Sequence, residues 1–238
     1  MPSDFFLAQT AVEFGQELPF DAKIAWLGCH FSPSGTGISN LPRELPALSM
    51  LILTDETPIS GHDPQRVAMQ LGQAVETFHC CRVLLDFQRP ENAEAAAMAQ
   101  VITQALPCPV GITAYYAQGL SCPVFLPPLP LTTGPAQCAA QWQDREIWLE
   151  AAPQRAGYRI TKDGCQMQEP LPGGRFPHQD ETLICRYGMQ LGQDEAIFTL
   201  CRTWEDWLTL ARCPQIGCVV GLYQEFAQPE AQPTALDQ

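Results

Sequence analysis

The sequence predicts a parallel α/β fold, a TIM-barrel-like (β/α)8 domain, from three features. Several short apolar runs can be buried on both faces, as residues 50–53 and 83–85 show, and this is typical of parallel strands covered on both sides. Amphipathic helices are predicted between these runs, which favours alternating strands and helices. The number of runs is close to that of a closed barrel. A doubly wound parallel sheet is the alternative.

The predicted strands share a high content of β-branched and large apolar residues. They cover residues 23–31, 48–54, 82–87, 110–116, 123–126, 146–151, 183–189 and 218–223.

Helix start signals separate several of these strands. Asp63-Pro64 supplies an N-cap followed by a proline at the first helical position. Pro90 is predicted to open the next helix, and residues 135–142 form a short one. Thr203 and Asp206 have the spacing of a capping box, which predicts a further helix start.

The C-terminal half departs from simple alternation and predicts hairpin insertions. Residues 158–168 form one hairpin, with residues 162–164 as its turn, and a second joins 184–191 to 196–202. We expect one barrel-like domain over residues 1–226. Residues 227–238 are rich in proline and polar side chains, which predicts a disordered tail.

Charge and composition limit the classes of partner that this protein is expected to bind. The 238 residues include 13 basic and 26 acidic ones, and the net charge of −13 disfavours nucleic acid and anionic membrane surfaces. No apolar run is long enough to span a bilayer and no signal peptide is recognised, so a cytoplasmic protein is expected. The 11 cysteines lie mostly in apolar runs without a C-x-x-C pair. This predicts reduced, buried thiols, with no metal and no cofactor.

The run 82–88 is the most informative segment, because an apolar strand ends there in Asp86 and Gln88. Ligands of parallel α/β folds bind where strands end, so a carboxylate at this position is a candidate site residue. The run resembles the Asp-x-x-Asp-x-Asp-x-Glu motif of the glycoside hydrolase family 18 barrels. In that alignment Asp86 takes the third acid, Leu84 the second and Cys81 the first.

This resemblance implies a barrel whose usual chemistry is disabled. Gln88 stands where the family has its proton-donating Glu, and an amide cannot protonate a leaving group. In the family the acid at the position of Asp86 helps to place the N-acetyl group of the substrate. Residues 109–116 and 196–223 are also similar to barrel units of the family.

Two further acidic residues are candidates for the same site at the carboxyl ends of the barrel strands. Asp55 directly follows a predicted strand, and Glu150 lies near the end of another. If these strands belong to one barrel, both carboxylates approach Asp86, and a carboxylate pair can perform acid and base chemistry. The alternative is that such acids solvate loops or cap helices.

Aromatic side chains at or near strand ends are candidate sugar platforms, because sugars stack their apolar faces on flat rings. They are Tyr115, Tyr116, Trp148, Tyr187 and Tyr223.

Three functions remain open from the sequence. The first is a degenerate family 18-like barrel that binds a carbohydrate or another small molecule. The second is an active hydrolase with a displaced acid, such as Glu150 or Glu56. The third is a scaffold or interaction protein without a small-molecule site. Whether the chain is an enzyme, and in which oligomeric state, is left open.

Overall fold

The computed structural model describes residues 4–90, 92–142, 145–170 and 176–227. The strands found there are β1 (Phe5–Gln9), β2 (Lys23–Phe31), β3 (Ile38–Ser39), β4 (Met50–Thr54), β5 (Arg82–Asp86), β6 (Val110–Thr113), β7 (Val124–Leu126), β8 (Ile147–Ala151), β9 (Gln154–Thr161), β10 (Gly164–Gln168), β11 (His178–Asp180), β12 (Cys185–Leu191), β13 (Glu195–Arg202) and β14 (Ile216–Leu222). The helices are α1 (Pro64–Phe78), α2 (Ala93–Ala105), α3 (Pro135–Gln141), α4 (Trp204–Leu210) and α5 (Tyr223–Phe226), with a 3-10 turn at Ala114–Tyr116.

Eight parallel strands close into a barrel, which confirms the predicted fold class. Their order is β1-β14-β8-β7-β6-β5-β4-β2, and a direct pairing of β1 with β2 completes the ring. The short strand β3 pairs antiparallel with β2 outside the ring. Because all eight strands run the same way, their carboxyl ends meet at one mouth.

The barrel interior is filled with side chains rather than open. Phe6, Met50, Leu84 and Trp148 belong to the cluster of buried residues that lines it. Trp148 is fully buried, and a Cβ atom added to Gly111 would lie 2.2 Å from its Cε3 atom. A glycine at position 111 is therefore what allows the indole to cross the barrel.

An ion network closes the amino end of the barrel. Asp4 lies 2.5 Å from both Lys23 and Arg82, and Arg82 also contacts Glu146 at 3.1 Å. The Arg82 guanidinium lies over the indole of Trp148, 5.2 Å from the ring centroid. Charges of both signs compensate one another here, so the ion network has a structural role in closing this end of the barrel.

The helices pack outside the barrel and begin where the sequence signals indicate, with one shift. The Asp63 carboxylate caps α1, and Thr203 and Asp206 form the predicted capping box of α4. The helix predicted from Pro90 begins later, at Ala93, because the Asn92 side chain accepts hydrogen bonds from the backbone amides of Glu94 and Ala95.

A five-stranded antiparallel sheet is inserted between β8 and α4, in the order β10-β9-β13-β12-β11. It contains both predicted hairpins, joined by the pairing of β9 with β13. The buried Arg202 donates hydrogen bonds to the carbonyls of Leu183 and Ile184 within the insertion and to that of Leu129, which attaches the inserted sheet to the barrel.

Two details of the predicted strand list are wrong. Residues 183–189 contribute to the inserted sheet as β12, not to the barrel, because they pair antiparallel with β13. The missing barrel strand is β1, whose five residues are all buried. The predicted tail lies outside the described residues apart from Ala227. All 11 cysteines are described and free, and Cys165 is the one that is exposed.

Candidate functional site

Asp86 is the last residue of β5 and lies at the barrel mouth. It is half-buried and shares the inward face of the strand with Leu84, two residues before it. The register places Thr54 of β4 opposite Asp86 and His30 of β2 opposite Thr54. These three polar side chains therefore follow one another around the rim.

Gln88 is exposed and contacts Asp86 directly. Its side-chain amide donates a hydrogen bond of 2.5 Å to the Oδ1 atom of Asp86. The geometry thus brings together the two residues that the motif singles out. The amide acts as a donor to the carboxylate, and it has no acidic proton to deliver.

Asp55 is buried and holds the loop that carries Gln88. Its Oδ1 atom accepts a hydrogen bond from the backbone amide of Gln88 at 2.9 Å, and its Oδ2 atom accepts one from that of Arg89 at 3.1 Å. Both carboxylate oxygens are therefore used within the protein. The structure gives Asp55 a loop-positioning role, and ligand contact by its side chain stays a prediction.

The carboxyl group of Asp86 is unusually easy to protonate. Burial raises its pKa from 3.8 to about 6, and the nearby charges of Asp55 and Glu56 add to the increase, against the lowering effect of the Gln88 hydrogen bond. A carboxyl group with this pKa exchanges protons near neutral pH, as a general acid or base must.

Glu150 of β8 faces the same mouth. Burial raises its pKa, and the charges of Asp86 and then Glu225 raise it further. The charge of Asp86 therefore acts on Glu150 across the mouth, and a joint role of the two carboxyl groups in catalysis stays a prediction. Within the described residues neither carboxylate has an ion-pair partner.

Glu225 was missed in the sequence analysis. It lies on α5, the short helix that directly follows β14, and burial raises its pKa. A signal was present, because Glu225 comes two residues after the predicted strand 218–223. A search for acids shortly after strand ends, rather than directly after them, would have selected it.

The aromatic residues predicted to contact a sugar lie in different environments. Tyr115 is 68% exposed at the end of β6, and Tyr223 begins α5 with its hydroxyl donating to the Glu17 carbonyl at 3.3 Å. Tyr115 is accessible at the mouth end of its strand, whereas Tyr223 is half-buried and packs against the core outside the barrel. Tyr187 lies on the inserted sheet, where its ring is 5.0 Å from that of His178.

Tyr116 and Trp148 are used in packing instead. Tyr116 is 6% exposed, its ring contacts Phe87, and its hydroxyl donates to the carbonyl of Arg89. Trp148 fills the barrel, with its indole N–H donating to Glu146 at the amino end. Contact of these two rings with a ligand stays a prediction.

The described residues contain no group of three or more His, Cys, Asp or Glu side chains arranged to hold a metal ion. Among the described helices, none combines the length and apolar character needed to cross a bilayer.

No protein-family model and no curated protein matches this sequence. Solved structures do match the fold. The spore cortex-lytic enzyme SleL of Bacillus cereus superimposes with a TM-score of 0.51 at 11% identity, over 94% of this chain and 73% of that one. The SleL enzyme of Bacillus megaterium gives a TM-score of 0.48 at 10% identity, over 96% and 73%. The first comparison shows that this chain shares the barrel fold of a cortex-lytic enzyme.

Proposed function

We propose that this chain is a carbohydrate-binding barrel of the glycoside hydrolase type, in which Gln88 replaces the usual catalytic acid. The observation that carries the proposal is the pairing of Asp86 with Gln88 at the mouth. An enzyme that hydrolyses glycosides needs a proton donor at the leaving oxygen, and here an amide occupies the position that the motif reserves for it.

Sugar recognition is supported by the composition of the mouth. Asp86 and Glu150 offer acceptors for sugar hydroxyl groups, and the exposed ring of Tyr115 offers a flat apolar surface. The half-buried ring of Tyr223, at the end of β14, is a second candidate for ligand contact. The fold shared with SleL of Bacillus cereus makes fragments of spore cortex and chitin-type oligosaccharides the first ligands to test.

Isothermal titration calorimetry with these oligosaccharides tests the proposal. Binding is expected for the native chain and is expected to weaken by about tenfold or more for Asp86→Ala and for Tyr115→Ala. Asp163→Ala, in an exposed hairpin turn, is the matched control and should bind normally. Absence of binding to every oligosaccharide would favour the scaffold alternative.

A hydrolase with a displaced acid is the second candidate, because Asp86 and Glu150 are interacting carboxyl groups with raised pKa values. In that case Glu150→Gln should abolish turnover, whereas Gln88→Ala should leave it intact. The binding proposal predicts negligible native turnover. It also predicts only a small gain for Gln88→Glu, although a general acid contributes roughly 10²–10⁴ in rate, because Leu84 and Cys81 still replace the supporting acids.

A further inference from the structure

One face of the inserted sheet is apolar and exposed. The cross-strand register aligns Met167, Tyr158, Phe198 and Met189 in one row over four strands. Directly paired residues project from the same face of a sheet. Of these side chains Met167 is 76% exposed and Met189 is 44% exposed.

The next row extends the same face toward the hairpin turns. It aligns Cys165, Ile160, Ala196 and Leu191, and Leu191 is 73% exposed. Four of the eight exposed large hydrophobic side chains in the described part of the chain lie on this one face. We call it the apolar face, defined by these two rows.

The charged side chains of β9, β10, β12 and β13, apart from the buried Arg202, lie on the opposite face. Arg159 alternates with Tyr158 and Ile160, and it is paired with Glu195 at 3.5 Å and bonded to Gln168 at 3.2 Å. A contiguous exposed apolar patch is typical of an interaction site. The separation of charge from apolar surface favours a partner whose own surface is apolar and uncharged.

Strand β10 leaves an open edge beside the apolar face. In the described residues it pairs with β9 only, and its five residues contain neither proline nor a charged side chain. Natural sheets usually protect such edges with lysine, proline or bulges, because an open edge can pair with another strand. Within the described part of the chain this edge has no such protection.

The distribution of charge favours a second copy of this chain as the partner at the inserted sheet. Residues 154–202 contain six of the 13 basic and six of the 26 acidic residues, so this segment is formally neutral and the net charge of −13 resides in the rest of the chain. Two copies of the chain repel each other through their barrels. The inserted sheet is where they can approach at the lowest electrostatic cost.

We infer that two copies of this chain associate through the edge of β10 and the apolar face. Antiparallel pairing of β10 with its own copy about Gln166 forms a two-fold contact and joins the two inserted sheets into one. The apolar rows then continue across the contact, since the two-fold axis keeps the same face on the same side. Cys165 of each copy lies next to Met167 of the partner subunit.

Sedimentation velocity across a dilution series tests this inference. The native chain should form a dimer, and Met167→Glu, which brings a charge into the contact, should weaken the dimer by about tenfold or more. Met69→Glu is the matched control, because Met69 is 56% exposed on α1 and should leave the dimer intact. Circular dichroism checks that each variant is folded.

Cross-linking gives an independent measurement. A short bis-maleimide should link two native chains through Cys165, the one exposed cysteine, and Cys165→Ser should remove the product. A monomer at every concentration overturns the inference. A dimer that survives Met167→Glu, or that cross-links equally well without Cys165, overturns it too.

Discussion

The two ends of the barrel carry acidic side chains in opposite electrostatic settings. At the amino end Asp4 and Glu146 are paired with Lys23 and Arg82. At the mouth the charges of Asp86 and Glu225 act on Glu150, and the described residues hold no ion-pair partner for any of these three acids.

The pKa values record this difference. Burial alone would raise the pKa of Asp4, but hydrogen bonds and charges from Lys23 and Arg82 outweigh it and lower the pKa. At Asp86 burial outweighs the lowering effect of the Gln88 hydrogen bond, no cation compensates it, and the pKa rises to about 6. Acids at the amino end therefore stabilise the fold, whereas those at the mouth are kept at a cost in stability. Uncompensated acids are typical of sites that bind or react.

The largest effect is expected from removing the central cation of the amino end. Arg82→Ala leaves Asp4 and Glu146 without a shared counter-charge and uncovers the Trp148 ring, so the free energy of unfolding should fall by about 3 kcal/mol. Urea titration measures this change. Arg66→Ala, at an exposed position of α1, should change it by no more than about 0.5 kcal/mol. An equal loss of unfolding free energy for Arg82→Ala and Arg66→Ala would contradict a structural role of the ion network.

At the mouth, removal of a charged group is expected to raise the free energy of unfolding rather than lower it. The folded chain holds a proton on Asp86 up to pH about 6, whereas the unfolded chain releases it near 3.8. The folded state therefore binds more protons between these values, and its stability falls as the pH rises through that window. Asp86→Asn removes this penalty and should raise the free energy of unfolding by about 2 kcal/mol at neutral pH.

Urea titrations of the native chain and Asp86→Asn at several pH values check this result. The two should be closest in stability below pH 3.8 and should diverge up to pH about 6. A variant that is less stable than the native chain at neutral pH would mean that the Asp86 charge is compensated after all.

A smaller loss is expected when the acid of the amino end is neutralised. Asp4→Asn removes one partner of Lys23 and Arg82 and should cost about 1 kcal/mol at neutral pH. Because the pKa of Asp4 is lowered on folding, its contribution is present above 3.8 and is lost as the pH falls below that value. The stability difference between native and variant chains should shrink accordingly in acid.

The sequence predicted the barrel and the position of Asp86 because both follow from local patterns. Strands apolar on both faces need a parallel sheet, and alternation along β5 directs Asp86 inward together with Leu84. It did not predict β1, a short segment near the chain start with no helix signal before it. Position along the strand also did not indicate that the 3-10 turn directs the Tyr116 ring into the layer behind the sheet.

Contacts between segments far apart in sequence could not be predicted from such local patterns. The pairing of β9 with β13 joins segments far apart in sequence, so two predicted hairpins became one inserted sheet. The approach of Glu225 to Glu150 likewise depends on β14 lying beside β8. Nothing in residues 216–226 alone indicates which strand will be that neighbour.

The smallest expected effect is a shift in the pKa of Glu150, which tests whether the acidic residues at the mouth interact electrostatically. Burial, then Asp86, then Glu225 raise the pKa of Glu150, so Glu225→Gln should lower it and Asp86→Asn should lower it more. Carbon-13 NMR titration of the Glu150 carboxyl group measures both shifts. Glu76→Gln, on the exposed side of α1, should leave the titration unchanged. If Glu225→Gln has no effect while Asp86→Asn does, the interacting pair is Asp86 and Glu150 alone, and Glu225 is not part of the site.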